Sequence, residues 1–209
     1  NLASDSISKN DQSRKIYLIN GIPFAQFFRT YVEYVPHIVF NKNNSLVSRT
    51  FLGVGIPYGN SFALPFVRSF YGGGTNGIRA WEARTLGPGS LSNEELEEAN
   101  VDQIGDLKIE QNIEYRFKIY KYLEGAAFTD IGNIWVLDNP EFSEEANFKI
   151  NKLWHDLAIG AGLGFRLNFD YFVIRLDVAT RIKDPGEKNP NELKIYPGEV
   201  FNFAIGYPF

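Results

Sequence analysis

From Ala25 to Phe40 the side chains alternate: Phe28, Thr30, Val32, Tyr34, Ile38 and Phe40 fall on one side of an extended chain, and Arg29, Glu33 and His37 on the other. Successive side chains of a strand point to opposite faces, so the pattern predicts a strand. Asn41-Lys42-Asn43-Asn44-Ser45 is a turn cluster. Leu46–Ile56 then sets Thr50, Leu52, Val54 and Ile56 against Arg49, Gly53 and Gly55. The cleanest run places Leu107, Ile109, Ile113, Tyr115, Phe117 and Ile119 opposite Lys108, Glu110, Asn112, Glu114, Arg116 and Lys118. Tyr122–Val136, Leu157–Asn168 and Phe172–Val178 continue the alternation, and the chain finishes with Phe201, Phe203, Ile205, Tyr207 and Phe209 opposite Asn202, Ala204 and Gly206. Lys15–Phe24, broken by Gly21 and Pro23, reads as a strand with a turn, and the polar Asn1–Arg14 as a frayed lead-in or external loop. Together these give about eight strands, several of the roughly 9–11 residues that a tilted transmembrane strand requires.

Alternation alone does not separate a membrane barrel from a soluble sandwich, because both have one apolar and one polar face. Three features favour the barrel, with a soluble all-β sandwich as the alternative. The apolar faces are bulky and continuous, the connecting loops run to about twenty residues, and the polar faces mix both signs of charge with glycine. Composition supports strands over helices: aromatic residues make up 15% of the chain. Cysteine is absent, which excludes disulfides and thiolate metal sites. The net charge of −4, without a basic stripe, argues against nucleic acid as a partner.

Phe70–Trp81 (FYGGGTNGIRAW) interrupts the strands with four glycines in six residues, Gly72, Gly73, Gly74 and Gly77, and delivers Arg79 and Trp81. Such a stretch forms a shaped loop, since glycine is used for left-handed or closely approached backbone. It matches G-x-G-x-x-G literally, but a dinucleotide site needs a βαβ unit that the all-β surroundings do not provide. The loop continues through Glu82–Asp106, whose acidic Glu94-Glu95-Leu96-Glu97-Glu98 reads as a solvated segment rather than a helix. No catalytic constellation, cofactor site or metal site emerges. The two histidines, His37 and His155, form no metal pair, and no G-x-S-x-G nucleophile is present. By parity Glu114 and Asp130 lie on polar faces of neighbouring strands. If both faces line a lumen, Arg79 could bridge them through charge-assisted hydrogen bonds. Pairing of Glu114 with Arg116 or Lys118 along the wall is the alternative.

These residues carry a specific resemblance. Phe70–Trp81 is similar to the lid-loop motif of the BamA/TamA-type surface-antigen superfamily of outer-membrane assembly factors, in which an aromatic-Gly-Gly stretch precedes hydrophobic-Arg-Gly-aromatic. Ala80 stands where that motif has glycine. Glu114-Tyr115-Arg116 and Phe128-Thr129-Asp130-Ile131-Gly132 resemble its wall motifs, and Gly162-Leu163-Gly164-Phe165-Arg166 its penultimate region. The ending Phe201-Asn202-Phe203-Ala204-Ile205-Gly206-Tyr207-Pro208-Phe209 resembles its C-terminal sorting signal, with Phe201, Phe203, Ile205, Gly206 and Phe209 as the signal residues. Ile-Arg-Ala-Trp, Thr-Leu-Gly-Pro-Gly and Ala-Ile-Gly-Tyr-Pro-Phe are most similar to the TamA-like lipoprotein (TamL) branch of Bacteroidetes-type bacteria.

The resemblance implies an antiparallel up-and-down transmembrane β-barrel in the outer membrane of a Gram-negative bacterium. Residues 1–209 would form one barrel domain, the C-terminal half of a sixteen-stranded barrel within a longer protein, with a lid loop at about 70–106. It further implies a lock of Arg79 and Trp81 against Glu114 and Asp130. The partners would be outer-membrane lipid, client outer-membrane proteins, and upstream POTRA domains with their periplasmic partners, which this chain lacks. The implied function is non-enzymatic insertion, assembly or translocation of outer-membrane proteins. Alternatives are a secretion pore for one dedicated partner protein and a membrane anchor for a fused enzyme domain.

Overall fold

The computed structural model describes residues 2–7, 14–61, 63–92, 94–96, 103–137, 142–169, 171–187 and 189–209. A three-stranded sheet contains β1 (Leu2–Ile7), β2 (Arg14–Ile19) and β3 (Ile22–Pro23). The main sheet contains β4 (Phe27–Tyr34), β5 (His37–Asn41), β6 (Asn44–Pro57), β7 (Leu107–Tyr120), β8 (Leu123–Trp135), β9 (Ala158–Asn168), β10 (Val173–Lys183) and β11 (Val200–Ile205). Its order is β11-β10-β9-β8-β7-β6-β4, with β5 also on β6. Every pairing is antiparallel, and all but that of β4 with β6 join sequence neighbours, giving an up-and-down meander.

Strands β4 and β5 lie end to end along β6, interrupted at Pro36, whose carbonyl still accepts the Ser48 amide at 3.1 Å. Proline interrupts a ladder because it has no N–H to donate. The sheet is open, with β11 pairing on β10 alone and β4 on β6 alone among the described residues.

The two faces of the sheet are inverted relative to a soluble sandwich. On one side Leu52, Ile56, Ile113, Tyr115, Ile119, Leu163, Phe165, Leu176, Phe201, Phe203 and Ile205 are exposed. On the other, Arg49, Glu110, Asn112, Glu114, Asp130, Arg166, Arg175, Asp177 and Asn202 are buried. Water does not tolerate so large a contiguous apolar surface, whereas lipid requires one. The burial pattern therefore removes the sandwich alternative. At one end the strands join through 42–43, 121–122 and 169–172, and at the other through the long segments 58–106, 136–157 and 184–199. Short turns at one rim and long loops at the other are the usual asymmetry of such walls. Exposed Tyr120, Tyr122, Phe169, Tyr171 and Phe172 ring the short-turn end, with Tyr122 stacked on Phe169 at 6.0 Å between ring centroids. Aromatic rings of this kind settle at a membrane–water boundary.

Three sequence expectations change. The polar start is not a frayed lead-in, because Leu2–Ile7 pairs residue by residue with Arg14–Ile19. Backbone pairing satisfies main-chain groups whatever the polarity of the side chains. The segment after Trp81 is not fully solvated: Leu86, Gly87, Pro88 and Gly89 are buried, and the Gly89 amide donates to the Ile134 carbonyl at 2.8 Å. Residues 94–96 form a helical turn with Leu96 buried, while Glu97 and Glu98 lie outside the described residues. Finally, the last strand stops at Ile205. Gly206, at φ +100°, breaks the alternation, and Tyr207 and Phe209 leave the face shared by Phe201 and Phe203.

Candidate functional site

The 58–106 connection folds back into the concave side of the sheet. Its neck is a two-residue bridge, in which the Phe70 amide donates to the Gly105 carbonyl at 2.9 Å and the Gly105 amide returns to Phe70 at 2.8 Å. Beyond the neck the chain makes a tight loop cross-linked by Gly74 N–H to the Trp81 carbonyl (2.8 Å) and Arg84 N–H to the Gly72 carbonyl (2.9 Å). Gly73 and Gly74 take φ +80° and +94°, the left-handed region that side chains disfavour. Gly72 faces Leu86, and Gly77 faces Glu110, each too closely for a Cβ without a shift.

The tip of the loop is fully enclosed, with Ile78, Arg79 and Ala80 at 0% exposure and Trp81 at 2%. Ile78, Ala80, Trp81 and Leu86 pack with Phe128, Ala158 and Ala179 of the wall. The Arg181 guanidinium lies 5.2 Å from a Trp81 ring centroid. A Cβ built on Gly160 of β9 would stand 2.6 Å from the Ala80 Cβ, so the missing side chain on the wall makes room for the methyl on the loop. Ala80 is not among the residues with positive φ, so the departure from glycine in the motif costs no backbone strain.

Arg79 is the centre of the site. Its Nε and Nη2 donate to Asp130 Oδ2 and Oδ1 at 2.8 and 2.9 Å, and its backbone N–H reaches Oδ2 at 3.1 Å. Nη1 donates to Glu114 Oε2 at 2.6 Å and to Asp177 Oδ2 at 3.4 Å. The guanidinium lies 3.4 Å from the Phe128 ring centroid. The forked pairing with Asp130 is the strong geometry for arginine and carboxylate, and a lysine could not reproduce it.

The carboxylates are shared. Arg166 donates to Glu114 Oε2 (2.9 Å) and Asp177 Oδ1 (2.7 Å), and Arg116 donates to Glu114 Oε1 (2.7 Å). Arg175 Nε lies 3.3 Å from Asp177 Oδ2, and its Nη2 donates to the Thr75 carbonyl and Asn76 Oδ1, both at 2.9 Å. Three carboxylates (Glu114, Asp130, Asp177) thus face four guanidiniums (Arg79, Arg116, Arg166, Arg175), which leaves one net positive charge in the cluster. Two further side chains hold the loop by its backbone: Asn112 donates to the Gly77 carbonyl and Asn202 to the Arg79 carbonyl, each at 2.9 Å.

These contacts show the curvature of the wall. Strands in a flat sheet lie about 4.8 Å apart, so β7 and β11 would be separated by roughly 19 Å. One residue of the loop nevertheless touches Glu114 on β7 and Asn202 on β11. The sheet must therefore curl around the loop.

The structure brings together Arg79, Glu114 and Asp130 and encloses Trp81 beside them. Glu114 also binds Arg116, so lumen bridging and pairing along the wall occur at once. Phe201, Phe203 and Ile205 face outward, whereas Phe209 turns inward, its ring centroid 5.9 Å from the Arg79 guanidinium. Sequence reasoning did not assign Asp177, Arg166, Arg175, Asn202 or Gly160 to the site. Each lies on the inward parity of its strand, but parity does not reveal that β9, β10 and β11 curve back to the loop. His155 and Asp156 are structural: buried Asp156 accepts Trp135 Nε1 at 3.1 Å, and the His155 carbonyl accepts Lys183 Nζ at 2.8 Å.

The family model for the Omp85 superfamily domain matches residues 20–209. The chain belongs to the Omp85 superfamily. Members of this family are outer-membrane barrels concerned with protein assembly or translocation. Among solved structures, this Omp85 domain is similar to BamA from Haemophilus ducreyi lacking POTRA domains 1–3, with a TM-score of 0.61 and 14% identity. That likeness, which concerns the fold, covers 91% of this chain and 37% of the BamA chain. No curated protein matches the chain.

Proposed function

We propose that this Omp85 domain is the C-terminal part of a barrel that inserts or assembles other outer-membrane proteins without enzymatic chemistry, and that its Arg79 loop is a lid locked in the lumen. In this reading residues 1–209 form one barrel unit of a longer protein. The observation that carries the lock is a single arginine donating to carboxylates on β7, β8 and β10 from a loop anchored between β6 and β7. A solvated surface loop would have no reason to bury a cation this way, because an ion taken out of water needs close opposite charge and full hydrogen bonding.

The test is Arg79→Ala in the full-length protein within its own outer membrane. Steady-state levels of other outer-membrane proteins are expected to fall while the variant itself remains in the membrane. Normal client levels, together with normal stability of the variant barrel, would remove the lid-lock reading. We also place the protein in the TamA-like lipoprotein branch on the strength of Ile78-Arg79-Ala80-Trp81 and Ala204-Ile205-Gly206-Tyr207-Pro208-Phe209. The coding sequence upstream of Asn1 decides this point. POTRA repeats preceded by a lipobox cysteine are expected, and POTRA repeats without that cysteine would exclude the branch.

A further inference from the structure

The last strand is a short edge of the main sheet. β11 has six residues against eleven in β10 and pairs on one side only, from Val200↔Ala179 to Ile205↔Ile174. Its outward side chains Phe201, Phe203 and Ile205 are exposed, so they contribute little packing within the protein. What β11 does have is a set of inward attachments. The buried Asn202 side chain donates to the Arg79 carbonyl at 2.9 Å, across 123 positions of sequence.

Past Gly206, whose N–H donates to the Val173 carbonyl at 2.7 Å, the tail crosses the concave side. Tyr207 Oη donates to Glu124 Oε2 at 2.9 Å and accepts from Asn168 Nδ2 at 3.1 Å. The Arg116 guanidinium lies 4.3 Å from the Tyr207 ring centroid and donates to the Phe209 carbonyl oxygen at 3.5 Å. Arg116 in turn holds Glu114, the partner of Arg79. Two routes thus join β11 to the lid, one direct through Asn202 and one through the tail, Arg116 and Glu114.

We infer that Asn202 is a positioning residue that couples the lid to the last strand, so that releasing either one loosens the other. This rests on the lid-lock reading above. The coupling follows from where the bonds go. Asn202 grips the backbone of the arginine whose side chain is fixed by three other strands, so the lid carries a load that β10 alone would otherwise bear for β11. A coupling free energy acts equally in both directions. Loss of one buried hydrogen bond shifts a local opening equilibrium by about fivefold to tenfold.

The test is amide hydrogen exchange on the full-length protein in outer-membrane vesicles, followed at β11 and at the lid amides of Gly74, Trp81 and Arg84. Asn202→Ala is expected to speed exchange about fivefold to tenfold at the lid as well as in β11. Arg79→Ala is expected to speed exchange in β11 as well as at the lid. Tyr207→Phe removes one hydroxyl and leaves every pair of the Arg79 cluster intact, and is expected to give a smaller rise at both places. Phe203→Ala, on the lipid side of the same strand, touches neither the lid nor the Arg79 cluster and serves as the control, expected to leave exchange unchanged at both places.

If Asn202→Ala speeds exchange in β11 and leaves the lid unchanged, the coupling is overturned while the lock stands. Unchanged lid exchange in Arg79→Ala overturns the lock, and the coupling with it. Loosening of the lid by Phe203→Ala with β11 exchange unchanged also overturns the assignment, because the lid would then respond without release of the strand. Asn202→Ala and Tyr207→Phe leave the paired carboxylates untouched, so the result does not depend on assembly of Arg79→Ala.

Discussion

Replacing Arg79 by alanine is expected to destabilise the folded domain by roughly 3–5 kcal/mol, the usual cost of removing one partner from a buried ion pair. The cost comes less from the bonds lost than from what stays behind. Asp130 would keep the Asn112 side chain at 2.9 Å and the backbone N–H of residue 79 at 3.1 Å as donors but lose the guanidinium fork, in a site with no access to water. Glu114 and Asp177 retain Arg166, so the deficit concentrates at Asp130. The expected outcome is escape of the loop, because an empty lumen admits water to the carboxylate. Residues 1–209 contain no cysteine, so an Ile78→Cys reporter, at a position with 0% exposure, adds one thiol to this domain, and the protein without the reporter gives the labelling background. It is expected to react with a maleimide in the Arg79→Ala background and to stay protected with Arg79 present. Protection that persists at an unchanged urea midpoint would show that the arginine does not hold the loop. Arg79→Lys should fall between the two, since an ammonium keeps the charge but cannot make the fork to Asp130.

The second large effect is steric. Gly160→Ala places a methyl where the Ala80 methyl already stands, 2.6 Å away, and overpacking of this kind typically costs about 1–3 kcal/mol. Ala80→Gly alone removes a buried methyl and adds backbone freedom to the unfolded chain, so a loss of about 1 kcal/mol is expected. The double variant moves the methyl from the loop to the wall and should recover most of the stability lost by Gly160→Ala. Urea unfolding midpoints of the four proteins form a mutant cycle, and residues in contact give interaction energies well above the error of additive behaviour. If the two losses simply add, the loop tip does not pack against β9 as described.

Much of this arrangement was legible in the chain. Strand parity placed Glu114 and Asp130 on the inward face, because an extended backbone leaves only two directions for a side chain. The glycine cluster at 72–77 marked a tight loop for an equally local reason. Parity is silent about curvature, however, so nothing in Arg175-Leu176-Asp177 showed that the third carboxylate returns to the same arginine. The burial of Leu86–Gly89 was hidden because it depends on contact with β8, far away in sequence. At the end of the chain the period-two pattern persists in the letters through Phe209, yet one left-handed glycine redirects the tail inward. Alternation records which side chains could share a face; backbone conformation decides which of them do.

The bridge between Phe70 and Gly105 has a kinetic consequence. Its paired hydrogen bonds fasten the two ends of the intervening loop to each other, independently of anything the tip touches. When Arg79 leaves its carboxylates, the segment therefore remains a closed ring hanging at the mouth of the lumen, with the entropy of ring closure already lost. Return is a short swing of a tethered piece, much faster than a search by an open chain. Under the lid role proposed above, opening and closing would leave the pairing of β6 with β7 intact.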